Sequence, residues 1–239
     1  MKTYRQRRNI LLIVLVIFAL VIGETFIDHS FKWWPYDIEQ VMQIVQKNGL
    51  NLRFAPDEIK NNRHIVKAAV QQNGACLEFA SATLKNDPEI VRLAVQQNGW
   101  ELQYASPSLQ DDREIVKLAI QKNGYALKFA SCALRNDTEI VKLAVQKHGW
   151  VLEHTSLECQ NDPEVVKIAV QQYGSALEFA SDRLKSDREI AKLAVQQNGL
   201  ALAYASKDLQ QDQEIIKLAV MQNGSALKFV ILVRGIALK

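Results

Sequence analysis

The stretch DPEIVRLAVQQNGWELQYASPSLQD, residues 87–111, recurs with small variations along most of the chain. Its glycine is one of eight, Gly49, Gly74, Gly99, Gly124, Gly149, Gly174, Gly199 and Gly224, spaced 25 residues apart without an insertion or deletion. A fixed period of this size is the signature of a stacked repeat array, whose repeats bury their apolar faces only against their neighbours. Within residues 87–111, Asp87 reads as a helix N-cap, Pro88 as the first helical position and Glu89 as a first-turn acid facing the helix dipole. Gly99 reads as the stop, where a left-handed residue is usual, so the helix is about eleven residues long. At about 100° per residue, Ile90, Val91, Leu93, Ala94 and Val95 cover roughly 200° of that helix. So wide an apolar arc implies contact on more than one side. Alanine recurs at its centre (Ala69, Ala94, Ala119, Ala144, Ala169, Ala194, Ala219), where a small residue lets adjacent helices approach closely.

Beyond the glycine, Trp100 to Ala105 reads as a second, shorter helix carrying Leu102 and Tyr104. Ser106-Pro107-Ser108-Leu109 then reads as one more capped turn, with Ser81, Ser131, Ser156, Ser181 and Ser206 at the same place in other repeats. No strand-like alternation appears. The expected fold is an all-α solenoid of about eight 25-residue helix-pair repeats over residues 37–239, preceded by one N-terminal hydrophobic helix.

The consensus D-x-E-I-V-x-x-A-V-x-x-N-G-x-x-L-x-x-A-S is similar to that of a family of tandem short helical repeats catalogued only as a domain of unknown function. The resemblance covers residues 37–229. It implies an interaction role and brings no catalytic residues with it. The departures concentrate in residues 148–159, where His148 replaces asparagine, His154 an aromatic ring, Thr155 alanine and Cys159 leucine.

Charge and cysteine usage narrow the classes further. The net charge of +3 resides entirely in residues 1–36, where Lys2, Arg5, Arg7, Arg8 and Lys32 face only Glu24 and Asp28. The array itself balances 24 basic against 24 acidic residues, which gives no electrostatic reason to expect nucleic acid. Cys76, Cys132 and Cys159 fall at three different repeat positions, so they form no disulfide framework and read as small hydrophobes.

The N-terminus suggests a tether. Residues 1–9 form a basic flank, and Ile10 to Ile22 contains no polar side chain. One reading is a secretory signal cleaved near Gly23, leaving a secreted array. The favoured reading is a retained signal-anchor over residues 10–27, followed by an aromatic interfacial segment, residues 28–36, with Phe31, Trp33, Trp34 and Tyr36. The array then lies outside the cytoplasm on a single-pass protein.

Several rows are candidate sites. A positive ladder, Lys67, Arg92, Lys117, Lys142, Lys167, Lys192 and Lys217, runs beside Glu89, Glu114, Glu139, Glu164, Glu189 and Glu214, which makes it chiefly a solvated face of weak ion pairs. The asparagines before the glycines read as local caps. The residues after the glycines alternate in size: Leu50, Ala75, Trp100, Tyr125, Trp150, Ser175, Leu200, Ser225. Their large members read equally as contacts for a partner or as filler between short helices. Trp100, Tyr125 and Trp150 with Lys117, Lys142 and Lys167 form the candidate partner surface. His148, Glu153, His154, Glu158 and Cys159 raise a metal reading, but without the close ligand pairing usual for zinc.

No nucleophile elbow, phosphate loop, H-E-x-x-H or dinucleotide fingerprint is present, so no enzyme, cofactor or small-molecule substrate is expected. The functional expectation is a membrane-tethered scaffold for an unknown protein partner. The alternatives are a spacer without a specific ligand and, more weakly, a metal-dependent hydrolase around His148 and His154. The apolar tail Val230-Ile231-Leu232-Val233, where A-S-x-x-L is due, reads as a cap, a contact between copies or the start of further repeats. For the N-terminus the expected outcome is a mature protein that retains residues 1–23; mass spectrometry finding a chain that starts at Glu24 would establish cleavage instead.

Overall fold

The computed structural model describes residues 37–229. The chain divides into two compact bodies, residues 1–44 and 45–239; of the first, the described part is the beginning of the helix Ile38–Lys47. The basic flank, the anchor segment, the interfacial aromatics and the apolar tail all lie outside the described residues. Among the described residues no helix is long and apolar enough to cross a membrane, and no strand occurs.

Eight ten-residue helices recur at the period: α1 (Ile38–Lys47), α2 (Arg63–Gln72), α3 (Pro88–Gln97), α4 (Arg113–Lys122), α5 (Thr138–Lys147), α6 (Pro163–Gln172), α7 (Arg188–Gln197) and α8 (Gln213–Gln222). In α3 the Asp87 carboxylate accepts hydrogen bonds from the backbone N–H groups of Glu89 (3.0 Å) and Ile90 (3.2 Å), satisfying two of the donors that a helix start leaves free. Asp112, Asp137, Asp162, Asp187 and Asp212 cap α4 to α8 in the same way. Ile90, Val91, Ala94 and Val95 are fully buried, whereas Leu93 is half-buried at the edge of the apolar arc.

The helix stop differs from expectation. Asn98, not glycine, ends α3, and it does so in an extended conformation (φ −149°, ψ 120°). Gly99 then begins a six-residue 3₁₀ helix, Gly99–Tyr104, and no glycine of the repeat adopts a positive φ. The reason for glycine is space. A Cβ on Gly49, Gly74 or Gly124 would stand 2.6, 2.9 or 2.7 Å from the carbonyl oxygen of Ala69, Ala94 or Ala144 in the next repeat's helix. On Gly99, Gly149, Gly174 and Gly199 it would come closer still to Ala119, Ala169, Ala194 and Ala219. Glycine and alanine are therefore two sides of one contact, which recurs seven times between consecutive repeats.

Each repeat closes with a single helical turn, such as Pro107–Gln110, capped by Ser106. These turns are joined along the array. The Ser106 N–H donates to the Lys85 carbonyl at 2.9 Å, and the same bond recurs at Ser81, Ser131, Ser156, Ser181 and Ser206. The serine hydroxyls add side-chain bonds backwards, Ser81 to Asn61 (2.7 Å), Ser106 to Asn86 (2.6 Å) and Ser181 to Asn161 (2.7 Å).

Because the Gly149 contact admits no extra carbon, Gly149→Ala should destabilise the array by about 1–3 kcal/mol through overpacking. Among the described residues a Cβ on Gly224 meets nothing within 4 Å, so Gly224→Ala should be neutral or stabilising by up to ~1 kcal/mol. Denaturant midpoints of the two variants check the contrast, and equal losses would refute the contact.

Candidate functional site

The asparagine row does what helix ends require. Asn98 Oδ1 accepts from the Trp100 N–H at 3.1 Å, and Asn48, Asn73, Asn123, Asn198 and Asn223 start their 3₁₀ helices in the same manner. His148 and Tyr173 occupy this position in two repeats, and neither makes the capping bond.

The residue immediately after each glycine projects beside that cap, one repeat above the next. Trp100, Tyr125 and Trp150 consequently form a column: Trp100 and Tyr125 stack with centroids 4.5 Å apart and planes at 29°, and Tyr125 and Trp150 stand 4.8 Å apart at 37°. Phe129 meets Trp100 (5.4 Å) and the edge of Tyr125 (6.0 Å), and His154 meets the edges of Tyr125 (5.2 Å) and Trp150 (6.2 Å). Trp100 at one end remains 38 % exposed, while Tyr125 and Trp150 are half-buried. The rings thus serve both purposes that the sequence leaves open: they pack on each other and they keep an exposed edge.

Of the remaining candidate residues, Lys117 and Lys167 bond to carboxylates of their own helices, Glu114 and Glu164, each at 3.5 Å. Elsewhere in the same row the pairs cross between repeats, as Lys67 to Glu89 (2.5 Å) and Lys192 to Glu214 (2.8 Å). Arginines at the first helical position reinforce three of the interfaces: Arg63 reaches Asp87 and Glu89, Arg113 reaches Asp137, and Arg188 reaches Asp212 and Glu214. Among the described residues none of Lys117, Lys142 and Lys167 lies over a ring; the lysine on the column is Lys128, whose Nζ donates to the Tyr125 hydroxyl at 2.9 Å. The structure therefore brings the three predicted rings together and leaves the three predicted lysines apart from them.

The irregular repeat places His148 and His154 around Trp150, with centroids 6.5 and 6.2 Å from it. His148 Nδ1, His154 Nε2 and Arg135 Nε are buried without a hydrogen-bond partner among the described residues. Burial, and then nearby Lys128 and Arg135 against the opposing pull of Glu153, holds the His154 pKa below its ordinary value. Among the described residues no three His, Cys, Asp or Glu side chains converge as a metal site would need.

A buried carboxyl that the repeat pattern does not announce lies beside the column. Glu101 is only 6 % exposed, at a position where later repeats carry Ala126, Val151, Ala176 and Ala201. Its Oε1 accepts from Asn98 Nδ2 at 3.1 Å. Burial raises its pKa, with a smaller push from Glu78 and an opposing one from that hydrogen bond. The neighbouring Cys76 thiol is pushed up to about 11 by burial and then by Glu101. The departure of Glu101 from alanine or valine was visible in the sequence; its burial was not.

The fold and this column define an all-helical array of short repeats that presents a ring-lined edge. The chain belongs to the family described as Domain of unknown function (DUF4116), which it matches seven times in overlap, at residues 37–85, 72–110, 87–131, 112–160, 137–185, 162–210 and 187–231. No curated protein and no solved structure matches the chain.

Two outcomes follow from these local environments. His148→Asn should restore the missing cap and raise stability by about 1 kcal/mol, which thermal melts of the two proteins would reveal. For Glu101, the folded chain holds its proton to higher pH than the unfolded chain, so this group's contribution falls as pH rises through and above the ordinary carboxylate range. Glu101→Gln should therefore leave the melting temperature nearly unchanged in acid and raise it at neutral pH; an equal effect at both would contradict the raised pKa.

Proposed function

We propose that this chain is a protein-binding repeat scaffold without catalysis, an α-solenoid held at a membrane by residues 10–27 with its array on the extracytoplasmic side. The observation that carries the binding reading is the Trp100–Tyr125–Trp150 column, three large rings that remain partly exposed at consecutive repeats. Aromatic side chains supply large contact area at small entropic cost and are enriched at interface hot spots. Membership in a repeat family fits this reading, because a stack of short repeats offers an extended surface whose chemistry varies from repeat to repeat. The tether rests on the basic flank, the apolar run and the aromatic belt of the sequence.

The competing reading is a spacer, for which the repeat stack alone suffices. A photo-crosslinking residue in place of the exposed Gln103, on the 3₁₀ helix that carries Trp100, separates the two. In cells that make the protein, the scaffold reading expects a discrete protein adduct that Trp100→Ala weakens. A spacer yields no such adduct.

A further inference from the structure

The ties between repeats are not uniform, and their variation marks one stretch of surface. At four interfaces the last residue of the ten-residue helix is a glutamine that clamps the glycine of the repeat before, whereas among the described residues Gln172 makes no such bond to Gly149. The Gly74 N–H donates to Gln97 Oε1 at 2.8 Å, while Gln97 Nε2 donates to the Val70 carbonyl at 2.7 Å. Gly49, Gly174 and Gly199 donate in the same way to Gln72, Gln197 and Gln222. At the two central interfaces that position is Lys122 and Lys147, both exposed. These interfaces have exchanged a hydrogen-bonding amide for a charge directed at solvent, and they are the two bridged by the stacked rings.

Both lysines end helices that pack on the glycines preceding the rings. A Cβ on Gly124, beside Tyr125, would lie 3.1 Å from the Cβ of Lys147. One on Gly99, beside Trp100, would lie 3.1 Å from the backbone nitrogen of Asn123, the residue after Lys122. Lys128, also exposed, completes the group on the Tyr125 hydroxyl. Among the described residues Lys122, Lys128 and Lys147 make no ion pair, in contrast to Lys67, Lys117, Lys167 and Lys192. The three 3₁₀ helices that carry the rings contribute two carboxylates, buried Glu101 and exposed Glu153. Three exposed lysines thus face one exposed carboxylate on these helices, Glu153, with Glu78 close to buried Glu101 at the Trp100 end, in an array that is neutral as a whole. The row also breaks off beside Trp100: the preceding repeat offers only the methyl group of Ala75, and Trp100 is 38 % exposed.

From this arrangement we infer that the partner is an acidic peptide segment carrying an aromatic side chain, its carboxylates on Lys122, Lys128 and Lys147 and its ring against Trp100 at the Ala75 end of the column. This rests on the protein-binding reading above and names the partner's chemistry. Long-range attraction from the lysines favours acidic partners, and the ring contact holds them. A nucleic acid fits less well. Phosphate-backbone binding draws on many cationic contacts, whereas the array balances its charges with these three lysines counted and is net acidic beyond them. The rings also spend their faces on one another, which leaves little for successive bases to stack on.

The test is selection from a random peptide display library on the full-length chain, beside the charge-reversed variant Lys122→Glu/Lys128→Glu/Lys147→Glu and Trp100→Ala. Folding of both variants is checked by their thermal melts. The expected result is enrichment of sequences with several Asp or Glu around a Phe, Tyr or Trp. Both variants should bind the selected peptides at least tenfold more weakly, and added salt should weaken the wild-type complex. Enrichment of neutral or basic peptides, or acidic peptides indifferent to the triple reversal, would overturn the inference while leaving a protein-binding surface in place. Enrichment of nothing would overturn both readings. Tighter binding of oligothymidylate than of the selected peptides would replace the peptide with a nucleic acid.

Discussion

The array depends on one contact, the approach of each repeat's glycine to the carbonyl oxygen of an alanine in the next repeat's helix. Gly74 over Ala94 and Gly124 over Ala144 leave no room for a Cβ, and the same geometry recurs from Gly49 to Gly199. This contact fixes the separation between repeats, and other features follow from it. The alanine must be small because a neighbour's backbone lies on its helix. The fully buried Ile90, Val91 and Val95 flank the alanine on the same helix. The serine-to-carbonyl bonds between successive turns keep a constant length, near 3 Å, because the repeats advance by a constant step. Where large side chains follow the glycine, that step sets their rings at stacking distance. It also accounts for the absence of insertions between the eight glycines, since one added residue would take a glycine out of register with its alanine.

On this common frame the chain uses several ties, and their energies differ. The Arg63, Arg113 and Arg188 bridges set exposed guanidinium groups on more buried aspartates, and ion pairs of this kind are screened by solvent and add little. The glutamine clamp is part-buried and makes its bonds across the interface to the preceding repeat, where a hydrogen bond is worth about 0.5–1.5 kcal/mol. An aromatic pair contributes about 0.5–1.5 kcal/mol beyond its buried area. The central interfaces replace the second tie with the third at little net cost in cohesion. The replacement changes the surface, giving exposed lysines and ring edges in place of an inward-turned amide. A repeat array can vary its surface chemistry in this way while keeping its pitch, because each tie acts only between neighbours.

The irregular repeat shows the limit of such variation. His148 does not supply the cap that Asn98 gives Trp100, and among the described residues its Nδ1 is left buried without a partner. His154 takes a ring position and meets the edges of Tyr125 and Trp150. Both substitutions sit in the repeat where the column ends, so the local cost falls at the same place as the unusual surface. Glu101 is a third departure beside the column, a carboxyl at a position that later repeats fill with alanine or valine.

The helices, their aspartate caps, the apolar arc, the serine-capped turns and the family were legible in the sequence, because period, cap chemistry and amphipathic spacing are local and repeat many times. The three rings were legible as a row, since equal spacing in a uniform array implies alignment. The reason for the glycines was not: a glycine after a helix suggests a left-handed stop, and only the neighbouring backbone shows that it answers a steric demand. Which lysines lie nearest the rings was not legible either. Lys117, Lys142 and Lys167 share a period with the column, whereas Lys122, Lys128 and Lys147 share its neighbourhood. Periodicity reports which residues lie in line along the stack, but proximity across it depends on how far each helix end reaches toward the next repeat, which only the packed structure decides.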